Sequence, residues 1–160
     1  MRGQNIMREI LFRGKPISKL DYTKLEPIFP DILKNGLIYG SLVVIKDKYY
    51  IAINIVCISQ RNLINSKTAT LIEVIPETVS QYTGLKDKNG NKIFEGDILR
   101  EYHPEQDVII EWSDGSFGFR RANKPKDCVY STIRYMQNAM SRLKIIGNIY
   151  DNTELLEVKE

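Results

Sequence analysis

The apolar residues of this chain recur mostly at the spacing of β-strands. Ile10 and Phe12 fall on one face with Leu11 on the other, which predicts an opening strand. Residues 37–45 and 49–58 are rich in β-branched and aromatic side chains and are separated by Lys46-Asp47-Lys48, so they read as a hairpin. Most of their positions are apolar, so the pattern predicts burial on both faces or coverage by a second chain. Residues 59–70 are polar and read as a loop, and 71–75 as a short strand that delivers the chain to Pro76. Proline followed by Glu77 suits a short helical turn, because proline presets φ and a carboxylate is favoured beside exposed N–H groups.

The second half is punctuated by turns. Asn89-Gly90 is the dipeptide that tolerates the two positive φ values of a tight hairpin. Gly96-Asp97 then leads into strands at 98–102, 108–112 and 117–121, with Ser113-Asp114-Gly115-Ser116 reversing the last pair. Short bent strands around an Asp-Gly hairpin resemble small barrels of the SH3-like type, with a predicted core of Ile98, Val108, Ile110, Trp112, Phe117 and Phe119. After Cys128 the period changes: Val129, Ile133, Met136, Met140 and Leu143 lie along one stripe of an α-helix that would pack on the sheet. Residues 144–150 return as a strand and 151–160 form an acidic tail. The fold class read from this pattern is mainly β, with bent antiparallel sheets, a small barrel in the C-terminal half and one amphipathic helix. All 160 residues are read as one domain, a β region at 1–75 followed by the barrel region at 76–160.

The stretch ETVSQYTGLKDKNGNKIFEGDIL at 77–99 resembles the signature of the YopX family, small proteins of phages and prophages. MREILFRGK at 7–15, NGLIYGSLVV at 35–44 and IGNIYDNTELL at 146–156 agree with the resemblance in the right order, and Met7 reads as an alternative start. The resemblance implies a mostly β fold and a phage or prophage origin, and it carries no activity onto named residues. The motif positions that it marks are Gly84, Asn89, Gly90, Glu95, Gly96, Asp97, Gly147 and Asn148, read as structural. Residues 16–35 form a longer link than the family pattern expects; Pro27 and Pro30 break any helix through it, and 31–34 read as a brief turn ended by Gly36.

Hydrophobic residues at 42% and charged residues at 27% are the balance of a soluble globular chain. No apolar run approaches the ~20 residues of a membrane span, and the N-terminal residues lack the apolar centre of an export signal, so the expectation is a protein of the host cytoplasm with no membrane partner. Cys57 and Cys128 have no paired spacing and read as thiols in a reducing compartment. His103 is the lone histidine, in a polar loop before Pro104, which leaves no Ser–His or Cys–His pair and no zinc set. Asp87, Asn89 and Asn91 alternate as calcium ligands do, but the glycine is fourth and the twelfth residue is Ile98, so the calcium-loop spacing fails. The glycines fit no phosphate-loop spacing, so neither catalytic residues nor a cofactor nor a metal is expected.

A net charge of +3 argues for no polyanion by itself. The one basic cluster is Arg120, Arg121, Lys124 and Lys126, beside the Trp112 and Phe117 hairpin. The leading reading is a non-enzymatic protein that binds a host or phage protein or assembles with itself as a homo-oligomer. The alternative is a nucleic-acid binder using the small barrel and that basic segment.

Overall fold

Two adjacent residues in the left-handed region, Lys46 (φ 47°) and Asp47 (φ 64°), reverse the chain between β3 (Leu37–Ile45) and β4 (Lys48–Cys57). Such a turn matches the twist of the flanking strands and so closes the expected hairpin tightly. The same device, Asn35 (φ 54°) with Gly36 (φ 72°), pairs β2 (Leu33–Lys34) with the start of β3. The brief turn expected at 31–34 is therefore extended at Leu33 and Lys34, because the Asn-Gly that follows folds these residues back as a hairpin arm. β5 (Ser66–Glu73) runs antiparallel to β4 from Cys57↔Ser66 to Tyr50↔Glu73. It starts inside the segment read as a loop: its threonines are β-branched, and the backbone of β4 supplies the pairing that its own pattern does not announce.

The computed structural model describes residues 9–18, 32–57, 66–103, 106–122, 124, 131–132 and 142–156, which divide into one compact unit of Ile10–Gln81 and another of Tyr82 onward with Glu9. In the first unit β1 (Phe12–Gly14) lies between β3 and the start of β6, with Phe12 opposite both Gly40 and Gln81. Beyond β1, a Pro16↔Val74 bridge and hydrogen bonds from Ile17 N to Glu73 O (3.0 Å) and from Ile75 N to Lys15 O (2.8 Å) tie the chain to the end of β5. Leu33, Ile38, Ile51, Ile53 and Val74 form the core of this unit. Gly40 is required there, since a Cβ would run into the Ala52 carbonyl oxygen. The turn expected at Pro76 is a 3-10 turn, Pro76–Thr78, whose Thr78 hydroxyl donates to Ile75 O at 2.7 Å and accepts from Lys15 N at 2.9 Å.

β6 (Ser80–Lys86) finishes in the second unit, where it pairs with β7 (Lys92–Phe94). An antiparallel sheet of five strands follows, in the order β11-β10-β9-β8-β12. Its members are β8 (Asp97–Arg100), β9 (Val108–Ser113), β10 (Ser116–Arg121), β11 (Ser131–Thr132) and β12 (Lys144–Asn148). The expected Asp-Gly hairpin joins β9 to β10, with Asp114 at φ 51° and Gly115 at φ 79°.

The fold is mainly β and antiparallel, but the closed small barrel is not formed: among the described residues the sheet runs open from β11 to β12, which do not pair with each other. Leu99, Val108 and Ile110 share one core with Ile93 and Leu143, and Phe119 packs against it. Ile98 pairs with Ile109 on the opposite face, and both are buried, so the sheet is covered on both sides rather than curled around one interior. Trp112 is a correction to the predicted core. It shares the face of Phe117, touching it edge-on at 4.8 Å between ring centroids, but it sits at the hairpin end of β9 and is half exposed.

The helix expected from Val129 to Leu143 falls mainly on residues outside those described; Ser131 and Thr132 within it are extended and pair with Phe119 and Gly118. Cys128, Lys126 and residues 157–160 also lie outside the described set, while Thr153–Leu155 makes a 3-10 turn in the segment read as a tail. Among the described residues no helix is long and apolar enough to cross a membrane.

Candidate interaction surfaces

The motif residues build turns from the inside. Asp87 is buried, and its carboxylate accepts four hydrogen bonds: Asn89 N and Asn91 N at 2.8 Å on Oδ1, and Asn91 Nδ2 and Ile145 N at 3.2 Å on Oδ2. Burial works to raise its pKa, but these donors outweigh it and hold the group below the ordinary carboxylate range. The same donors occupy both oxygens that the calcium spacing would have offered. The turn that they hold departs from the expected one: only Gly90 (φ 84°) is left-handed and Asn89 is not, because the Asp87 carboxylate, rather than a pair of positive φ values, closes the loop. Gly84 (φ 87°) sits where the β6–β7 register shifts, a bulge that the adjacent Thr83 pins by donating to Ile93 O at 2.8 Å.

Glu95 and Gly96 form the turn between β7 and β8, and the buried Asp97 closes it by accepting from Phe94 N at 2.8 Å. Gly96 has φ 77°, donates its N–H to Ile110 O at 2.8 Å and accepts from Ile149 N at 2.9 Å. Burial pushes the Glu95 carboxyl up, and the Trp112 N–H draws it down less than burial and the neighbouring Glu111 raise it. Asn148 accepts from Tyr150 N at 2.9 Å and Asp151 N at 3.0 Å, while Gly147 leaves room for the Asn152 side chain that caps Asn148 N. The motif positions thus lie in turns or at a bulge. Among the described residues no three His, Cys, Asp or Glu side chains gather as a metal would need, and His103 stands exposed.

The basic segment divides. Arg120 is only 7% exposed: its Nε donates to Glu111 at 2.8 Å, and its Nη1 donates to the carbonyls of Arg121 (3.2 Å) and Lys124 (3.0 Å). A guanidinium so engaged holds the loop after β10 and is not presented to a phosphate. Arg121 and Lys124 are exposed. Sequence reasoning missed that this loop is tied by Ala122 N to Asp107 O at 2.8 Å, and that Asp107 takes a two-pronged contact from Arg100 at 2.7 and 2.6 Å. No spacing rule links residues 100, 107 and 120; only the β8–β9–β10 register does.

In the first unit, direct cross-strand pairs assign residues 41–45 of β3, 48–52 of β4 and 71–73 of β5 to a face. Leu42, Ile51 and Ile72 pair across the three strands on the core side. On the other side lie two rows, Ser41–Ala52–Leu71 and Val43–Tyr50–Glu73, followed by Ile45 opposite Lys48. Ile45 is 45% and Leu71 43% exposed, so this second face carries large apolar side chains in water. The Lys48–Glu73 ion pair (3.0 Å) crosses it.

A family model described as YopX protein matches residues 31–157. The crystal structure of protein EF1440 from Enterococcus faecalis is similar to this chain at 34% identity over 56% of it and 69% of that chain, with a TM-score of 0.35. No curated protein matches.

Proposed function

The chain belongs to the YopX family, and from that premise we propose that it is a phage- or prophage-encoded accessory protein of the host cytoplasm that acts without catalysis, by assembling with a second copy of itself. The observation that carries the reading is the outer face of β3–β5, where Ile45 and Leu71 stand nearly half exposed beside Val43, Tyr50 and Ala52. Exposed apolar area gathered on one sheet face is the surface that association removes from water. Charge favours a like partner: Lys46 and Lys48 are balanced by Asp47 and Glu73, so two copies meeting here do not repel each other. The polar side chains that a catalytic reading would draw on, Asp87, Asp97, Asp107 and Arg120, are each engaged in holding turns and strands.

Light scattering from 1 to 100 µM, about the range over which a weak to moderate homodimer forms, tests the reading. The expected mass is a multiple of 18.5 kDa that rises with concentration. A constant single-chain mass removes self-assembly and leaves a host or phage protein as the partner to be sought.

A further inference from the structure

The five-stranded sheet brings cations that are far apart in sequence to one end. Lys144 opens β12 opposite Arg100, the last residue of β8; one residue back and on the other face of the sheet, Leu99 pairs with Val108, and Val108 with Arg121, the last residue of β10. Strands lie about 4.8 Å apart, so β12 and β10 are separated by roughly 14 Å across this end of the sheet. Lys124 follows on the loop that Arg120 holds by its carbonyl, and Arg142 precedes β12. The described carboxylates near this end are already engaged, Asp107 by Arg100, Glu101 by Arg142 at 3.0 Å and Asp87, beside the start of β12, by Ile145 N. Arg121, Lys124 and Lys144 remain exposed with no described carboxylate opposite them. Tyr102 leaves β8 at the same end and is 72% exposed, the highest exposure among the large hydrophobic side chains described.

We propose that this end of the sheet binds single-stranded nucleic acid, with Arg121, Lys124 and Lys144 on phosphates and Tyr102 stacked on a base. Cations set along one end of the sheet, from β12 to the loop after β10, can follow a backbone, and an aromatic at that end adds sequence-tolerant stacking; a duplex offers no unstacked base for Tyr102. Arg120 acts as a positioning residue: its guanidinium fixes the carbonyls of Arg121 and Lys124 and so orders the loop that presents their charges. This surface belongs to the second unit and the apolar face to the first, and the two readings are tested independently.

Fluorescence anisotropy with labelled dT and rU 20-mers, a 20-bp duplex and anionic phospholipid vesicles, read at several salt concentrations, tests the proposal on the full chain. Both single strands are expected to bind more tightly than the duplex, with a slope of log affinity on log salt of about −2, from roughly 0.7 per neutralised phosphate for three contacts. Arg121→Ser, Lys124→Ser and Lys144→Ser together are expected to bring the slope near zero with the melting temperature retained, and Tyr102→Ala to weaken binding about tenfold at an unchanged slope. Removing an exposed cation of the first unit that lies outside its apolar face, Lys34→Ser, is expected to leave the slope as it was. No binding of either single strand at low salt, preference for the duplex, an unchanged slope in the triple variant, or binding to vesicles alone overturns the proposal. Preference between dT and rU distinguishes DNA from RNA as the strand bound.

Discussion

At the scale of single residues, two carboxylates are tuned in opposite directions. Asp87 has its folded-state pKa lowered by the Asn89, Asn91 and Ile145 donors that outweigh its burial. Its contribution to stability is therefore complete above the unfolded value of about 3.9 and is lost as pH falls through the folded one. Asp87→Asn keeps one acceptor oxygen and turns an amide toward the donors on the other side. It is expected to cost about 1.5–3 kcal/mol at pH 7, with the gap to the parent chain closing as urea denaturation is repeated towards pH 3. Glu95 is the converse: burial and Glu111 raise its folded pKa, so it favours folding while protonated, and that contribution is lost as pH rises through the raised value. Glu95→Gln should raise the melting temperature at pH 7 and leave it unchanged near pH 3.5. A gain of equal size at both values would show that charge is not the cause.

At the scale of elements, the hairpins were legible and the pairings that depend on distant partners were not. Asp114-Gly115 announced its turn because two left-handed residues favour that dipeptide, whereas Lys46-Asp47 closes an equally tight turn with neither residue being glycine. For Asn89-Gly90 a reversal was readable but its type was not, since the Asp87 carboxylate decides it. β5 begins in a polar run because β4 lies beside it, and Arg120 faces inward because Glu111 lies across the hairpin. Gly96 is where sequence and structure agree most fully. A compact step before a strand pointed to unusual backbone, and the residue has φ 77°, with the Tyr150 ring 3.2 Å from the point that a Cβ would occupy. Gly96→Val is expected to destabilise by about 1–3 kcal/mol in a denaturant titration. An unchanged midpoint would mean that the turn relaxes at no cost.

At the scale of the molecule, an apolar β3–β4 hairpin pointed from the start to burial on two faces or to a second chain. One face has its cover in the core of Leu33, Ile38, Ile51, Ile53 and Val74, except Val44 at the hairpin end, which stays exposed. The other, with Ile45 and Leu71, is the surface on which self-assembly rests. Sedimentation velocity on the parent chain and on Ile45→Lys with Leu71→Lys addresses it most directly, because both substitutions sit on the outer face and leave that core intact. Association through this face predicts an assembled parent chain and a double variant that sediments as a single 18.5 kDa chain with its melting temperature retained. A parent chain that sediments as a monomer, or a double variant that stays assembled, would contradict it.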